Sequence, residues 1–153
     1  MFDSINKLFN KKTNYQKLKK EISPVPSKFI KDLIDSISLG LIDKTDSLLK
    51  DLSSGELANI IEQLDSNDRK KLIFFLGSSI APEIILELDK DIRNEIISIV
   101  GEHTFLNIIS KLDTDDLIIV LEEFTEDKRG QYLKLLPKKS QRELVKKGLK
   151  FPE

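Results

Sequence analysis

The chain has no cysteine and no tryptophan, one histidine, and six glycines scattered singly through 153 residues. Without cysteine there can be no disulfide, no thiolate metal site and no thiol nucleophile, which suits a reducing compartment. A lone histidine, His103 beside Glu102, cannot build a zinc site unaided. No serine or aspartate stands at a spacing that would make it a catalytic base, so it reads as an ordinary residue at a helix start. The isolated glycines exclude a Gly-rich phosphate loop. No apolar run is longer than that of Leu72 to Leu76, far short of the roughly 20 residues of a membrane span. Met1 to Asn10 lack the basic leader and long apolar stretch of a secretory signal. Nothing here resembles an enzyme active site.

What is present is charge, and it is segregated. Residues 1–20 carry six lysines against one acid, and residues 138–153 carry six basic residues against two acids. Between them, residues 21–137 hold 13 Lys and Arg against 23 Asp and Glu, although the formal net charge of the whole is only −1. An acidic centre disfavours nucleic acid, whose phosphates require a basic face. It suits a cation or a basic partner.

The second feature is a repeat. Leu52, Leu64, Leu76, Leu88, Val100, Leu112, Phe124 and Leu136 place an apolar residue at every twelfth position. The positions four and three residues earlier, from Leu48 and Leu49 to Leu144 and Val145, are apolar as well. All 26 positions in these three series are apolar, where a 39% hydrophobic composition would supply about 10. Within each unit the apolar residues fall at i, i+1 and i+4, a narrow stripe along one helix face. The residue after each marker is Ser53, Asp65, Gly77, Asp89, Gly101, Asp113, Thr125 or Pro137, all cap or turn formers. Ser53 to Glu56 reads as a capping box. Each unit is therefore a helix of roughly eight residues and a tight turn, too short to persist alone. The units must stack, as in helical solenoids.

Outside the repeat, Pro24 and Pro26 set off a lysine-rich, weakly periodic segment at the N-terminus. Ser27 is placed to cap a helix from Lys28 to about Leu39, ended by Gly40, and a second helix is expected near Thr45–Lys50. The last helix should run over Ser140–Lys147 and close at Gly148 and Pro152. Arg69, Arg93 and Arg129 recur on the repeat and are expected to face solvent or to form ion pairs within the stack. Several acids fall in first helical turns: Asp68, Glu83, Asp91, Asp115 and Asp116. Acids there favour the helix dipole by a few tenths of a kcal/mol, which is reason enough for their placement. They are equally suited to Mg²⁺, which takes oxygen ligands, keeps several waters and needs only one or two carboxylates from each of two surfaces.

The run Leu52-Ser-Ser-Gly-Glu-Leu-Ala-Asn-Ile-Ile-Glu-Gln-Leu64, with Leu88-Asp-Lys-Asp-Ile-Arg93 and Leu112-Asp-Thr-Asp-Asp-Leu117, resembles the N domain of the MgtE family of magnesium transporters. The resemblance covers about residues 28–153. Phe151-Pro152-Glu153 is similar to the phrase that leads into the first CBS domain in that family. It implies an all-α fold, a right-handed superhelical stack of short helices. Its division would be a basic extension over 1–27, the superhelix over 28–150, and at 151–153 the start of a linker to a CBS domain.

In function the resemblance implies a non-enzymatic regulatory domain on the cytoplasmic face of the membrane, within a homodimeric transporter. It would pack on the CBS pair of its own polypeptide through weakly bound, shared Mg²⁺. Glu83 and Asp115 align with acids that face that interface. One turn after Asp115, where some members carry another acid, this chain has Ile119, so that the ligand is missing or supplied by Asp116. A second resemblance, of Glu102-His-Thr-Phe-Leu-Asn-Ile-Ile-Ser-Lys-Leu112 to the flagellar motor switch protein FliG, implies instead a scaffold of a rotary motor, with Thr104 and Phe105 in place of that family's Pro and Gln; the repeat by itself also suits another helical-repeat adaptor.

Overall fold

A computed structural model describes residues 25–151. Expectations for residues 1–24, and for Pro152 and Glu153, lie outside the described residues. Ten α-helices follow one another: α1 (Ser27–Ser38), α2 (Ile42–Leu49), α3 (Ser54–Gln63), α4 (Ser66–Leu76), α5 (Pro82–Glu87), α6 (Lys90–Val100), α7 (Glu102–Ile109), α8 (Thr114–Leu121), α9 (Glu126–Leu135) and α10 (Lys138–Lys146). A 3₁₀ turn over Gly77–Ser79 joins α4 to α5. No strand occurs among the described residues, and none of their helices is long and apolar enough to cross a membrane. The protein is all-α.

The turn chemistry is largely as the sequence indicates. Ser53 accepts from the Glu56 amide while the Glu56 carboxylate accepts from the Ser53 amide, both at 3.1 Å. Asp65, Asp113 and Thr125 cap α4, α8 and α9 by accepting from the amide three residues on, without the reciprocal bond. Gly77 and Gly101 end α4 and α6 at φ +50° and +90°, where a Cβ would be strained. Asp89 makes no such cap bond, and neither does Ser27, which lies inside α1 with Pro26 as the N-cap. Helix α2 begins a turn earlier than the expected Thr45, and α10 starts at Lys138, directly after Pro137. A fixed φ suits Pro137 to the position before a first turn.

The packing groups the twelve-residue units in pairs. Helix α3 packs on α5, α5 on α7, α7 on α9, α4 on α6, and α8 on α10, so most of the central helices contact the next but one, while α1 packs on α2 and α4, and α6 on α7. The structural unit is thus a helix pair of 24 residues. Burial follows it: the markers Leu64, Leu88, Leu112 and Leu136 are buried, whereas Leu52, Leu76, Val100 and Phe124 are only partly covered. Of the two earlier series, nearly all members from Ile60 and Ile61 to Leu133 and Leu144 lie in one continuous core, which Val25 also joins. Val145, by contrast, is exposed.

Long polar side chains tie one unit to the next. Arg69 donates to the carbonyls of Ile61 and Leu64, both at 2.8 Å, and makes a two-pronged bond to Glu95 of α6 at 2.9 Å. Arg129 repeats the first part on the carbonyls of Leu121 and Phe124. Gln141 does so on Leu136 at 2.8 Å. Carbonyls at the end of a helix have no partner within it, and these side chains supply one. Arg93 donates to the carbonyl of Ile85 and pairs with Glu123. The expected ion pairs within the stack form at Arg69 and Arg93, whereas Arg129 has none among the described residues and bonds only to carbonyls, and all three serve as helix C-caps.

Candidate metal half-site

Three acids are the candidates, and the fold presents them differently. Glu83 stands in the first turn of α5, after Pro82 at the start of the helix, and is exposed. It forms no ion pair with another described residue. Asp115 stands in the first turn of α8, directly after Thr114, and its side chain is 32% exposed. Its Oδ1 lies 3.4 Å from the Nζ of Lys147 at the end of α10. Asp116, one residue on, is only 5% exposed, and its amide donates to Asp113 Oδ1 at 3.0 Å. Adjacent helical residues point about 100° apart, so the turn that leaves Asp115 at the surface carries Asp116 inward.

Ile119, one turn beyond Asp115, is buried and offers no oxygen. Asp116 does not replace it at the surface, because its carboxylate is turned into the protein. Among the described residues no group of three His, Asp or Glu could hold a metal ion. The donor chemistry nevertheless fits Mg²⁺ as a half-site. Carboxylate oxygens are its preferred protein ligands, and it tolerates one or two of them with water completing the shell. Glu83 and Asp115 would supply those ligands, with the rest contributed from another surface.

The remaining polar cluster is structural. Lys128 Nζ lies 2.6 Å from Glu102 Oε1 and 5.3 Å from the centre of the Tyr132 ring. The Tyr132 hydroxyl donates to the same oxygen at 3.2 Å. The Tyr132 ring meets Phe124 edge to face at 5.0 Å, and Phe124 meets Phe105 at 6.3 Å. This seam joins α7 to α9. The Lys128 hydrogen bond holds the Glu102 carboxyl below the usual carboxylate range, and Glu102 in turn raises the Lys128 ammonium. A depressed carboxyl stabilises the fold above its unfolded pKa and loses that contribution as pH falls through the folded value; the raised lysine contributes below its own unfolded pKa and loses it in alkali. In a Lys128→Met variant the Glu102 carboxyl, followed by carbon NMR, should titrate at higher pH than in the native protein. An unmoved titration would mean the pair does not persist in water. His103, next to Glu102, is exposed on α7 and makes no side-chain hydrogen bond or ion pair among the described residues.

An open depression of about 530 Å³, lined by Glu126, Arg129, Lys134, Lys150 and Phe151 among others, mixes charges of both signs and includes none of the three acids.

Comparison with known proteins follows the same line. A family model described as the MgtE intracellular N domain matches residues 43–153. The match begins inside α2, later than the residue 28 suggested by the sequence resemblance. Among solved structures, the soluble part of a magnesium transporter is similar with a TM-score of 0.65 at 16% identity. The alignment covers 78% of this chain and 47% of that one, so the chain spans about half the length of its structural relative. Among curated proteins nothing matches. The segment from Glu102 that resembles the flagellar switch protein lies within the matched range, and Phe105, in place of that family's Gln, is fully buried against Phe124.

Proposed function

Because the chain belongs to the family of MgtE intracellular N domains, we propose that it is the Mg²⁺-sensing, gating domain of a magnesium transporter. It sits on the cytoplasmic face of the membrane and packs on the CBS pair of the same polypeptide within a homodimer. Mg²⁺ bridges acids across that interface and holds the pore closed. When Mg²⁺ falls, like-charged surfaces repel, the domain moves away and the pore opens. The domain itself performs no catalysis.

The observation that carries this reading is the placement of an exposed Glu83 and a partly exposed Asp115 in two first turns of an otherwise firmly packed stack. A rigid body with two outward carboxylates gains differential affinity for a partner only when a cation lies between them, which is what a ligand-driven population shift requires. Asp116 contributes its field from beneath the surface rather than a ligand atom.

The test is the double replacement Glu83→Ala, Asp115→Ala in the full transporter, with Mg²⁺-dependent protection from proteolysis as the readout. Each lost charged contact is worth roughly 1.5–3 kcal/mol, so the Mg²⁺ concentration for half protection should rise by at least about tenfold. Protection at the native concentration would show that these acids do not face the cation.

A further inference from the structure

Asp115 and Glu83 differ in one respect that bears on how the half-site responds. Glu83 has no basic partner among the described residues, whereas Asp115 already has a cation, the Lys147 ammonium, 3.4 Å from its Oδ1. The pairing is a product of the fold: α10 packs on α8 and sets Lys147, 32 residues along the chain, against the first turn of α8. We propose that Lys147 is a built-in competitor of Mg²⁺ at Asp115 and sets the concentration at which the half-site is occupied. This rests on Asp115 being a Mg²⁺ ligand, as proposed above.

The geometry makes the exchange inexpensive for the fold. The end of α10 is fixed by the Gly148 amide on the carbonyl of Val145 at 2.9 Å and by the Leu149 amide on that of Leu144 at 3.1 Å. Leu144 is wholly buried, and Gly148 at φ +90° completes the turn. The Lys147 backbone is thereby held while its side chain, 52% exposed, is free to swing into water. A lysine ammonium is a compact, strongly hydrated charge on a flexible stem, and it leaves a carboxylate without disturbing packing. Mg²⁺ and the ammonium cannot both contact Asp115 without repelling each other. The apparent affinity for Mg²⁺ is therefore reduced by whatever the ion pair contributes. Exposed pairs contribute up to about 1 kcal/mol, equivalent to about fivefold in a binding constant.

The experiment is a Mg²⁺ titration of the full transporter, comparing native protein with Lys147→Met and Lys147→Arg by protection from proteolysis. Lys147→Met keeps the apolar stem and removes the charge, and should lower the half-protection concentration by about three- to fivefold. Lys147→Arg keeps the charge and should titrate with the native protein. The gap between the Met and native curves should close at high KCl, where the exposed pair is screened. A Met variant that titrates with the native protein overturns the competitor role while leaving Asp115 as a ligand. An Arg variant that shifts as far as Met overturns it too, since charge would then be irrelevant. Absence of any Mg²⁺-dependent protection in the native transporter overturns both this inference and the function on which it rests.

Discussion

Replacing Ile108 with Asp should leave the 153-residue chain unfolded at room temperature. Ile108 is 1% exposed on α7, the helix that packs against α5, α6, α9 and the 3₁₀ turn. Removing its side chain forfeits about 2–4 kcal/mol of burial and packing. A carboxylate left in its place adds the cost of burying a charge, several kcal/mol more. Domains of this size are stable by about 5–15 kcal/mol, so the sum consumes most or all of the margin. Helices this short have no independent existence, and the loss should propagate through the stack rather than stay local. Helical circular dichroism at 222 nm should collapse with no cooperative melt. Phe74→Asp is the control: Phe74 is 77% exposed, and a surface change of that kind should shift stability by less than about 0.5 kcal/mol. Ile84→Asp should behave as Ile108→Asp does. A native-like melt for either would mean that the repeat's stripe is not the core.

That prediction can be made from the repeat before any coordinates, because an apolar stripe at i, i+1 and i+4 has only one place to go. The pairing of the units is harder to see in the apolar residues, since both helices of a pair present similar stripes. The signal lay in the turns: Asp65, Asp89 and Asp113 alternate with Gly77 and Gly101, each series 24 residues apart. Gly77 and Gly101 adopt positive φ while Asp65 and Asp113 are side-chain caps, two different turns for two different helix junctions. The candidate acids were legible as residues in first turns but not in their exposure. Asp115 and Asp116 are neighbours of the same type, and only the direction in which α8 faces its partners leaves one carboxylate partly exposed and turns the other inward. The Lys147–Asp115 contact depends on α10 folding back on α8, which no local pattern encodes. Arginine recurrence was visible, but whether Arg93 would meet water or Glu123 depended on the depth of the groove between units.

That depth makes Arg93 the site of the second large effect. Arg93 and Glu123 have side chains only 7% and 11% exposed, and they face each other across 30 residues of sequence. Burial lowers the Arg93 pKa from its ordinary value, with the charges of Glu123 and then Asp89 working against that shift. The guanidinium is thus paired with, and dependent on, its partner. Glu123→Ala should cost about 3–5 kcal/mol, because it leaves a buried cation without its nearest anion. Arg93→Met should cost a similar amount for the converse reason, and it also strips the Ile85 carbonyl of its donor. The double replacement Arg93→Met, Glu123→Leu removes both charges and fills the groove with apolar atoms, so its cost should fall well below the sum of the single costs, and below the larger single cost. Urea unfolding of the four proteins measures the cycle. Arg69 supplies the contrast: its partner Glu95 is 38% exposed, and Glu95→Ala should cost no more than about 1 kcal/mol. Single costs below 1 kcal/mol at Arg93 and Glu123, or a double variant as unstable as the sum, would show that the pair is solvated in solution. Large single costs with recovery in the double would show that the units are joined by a buried charge pair whose two members depend on each other.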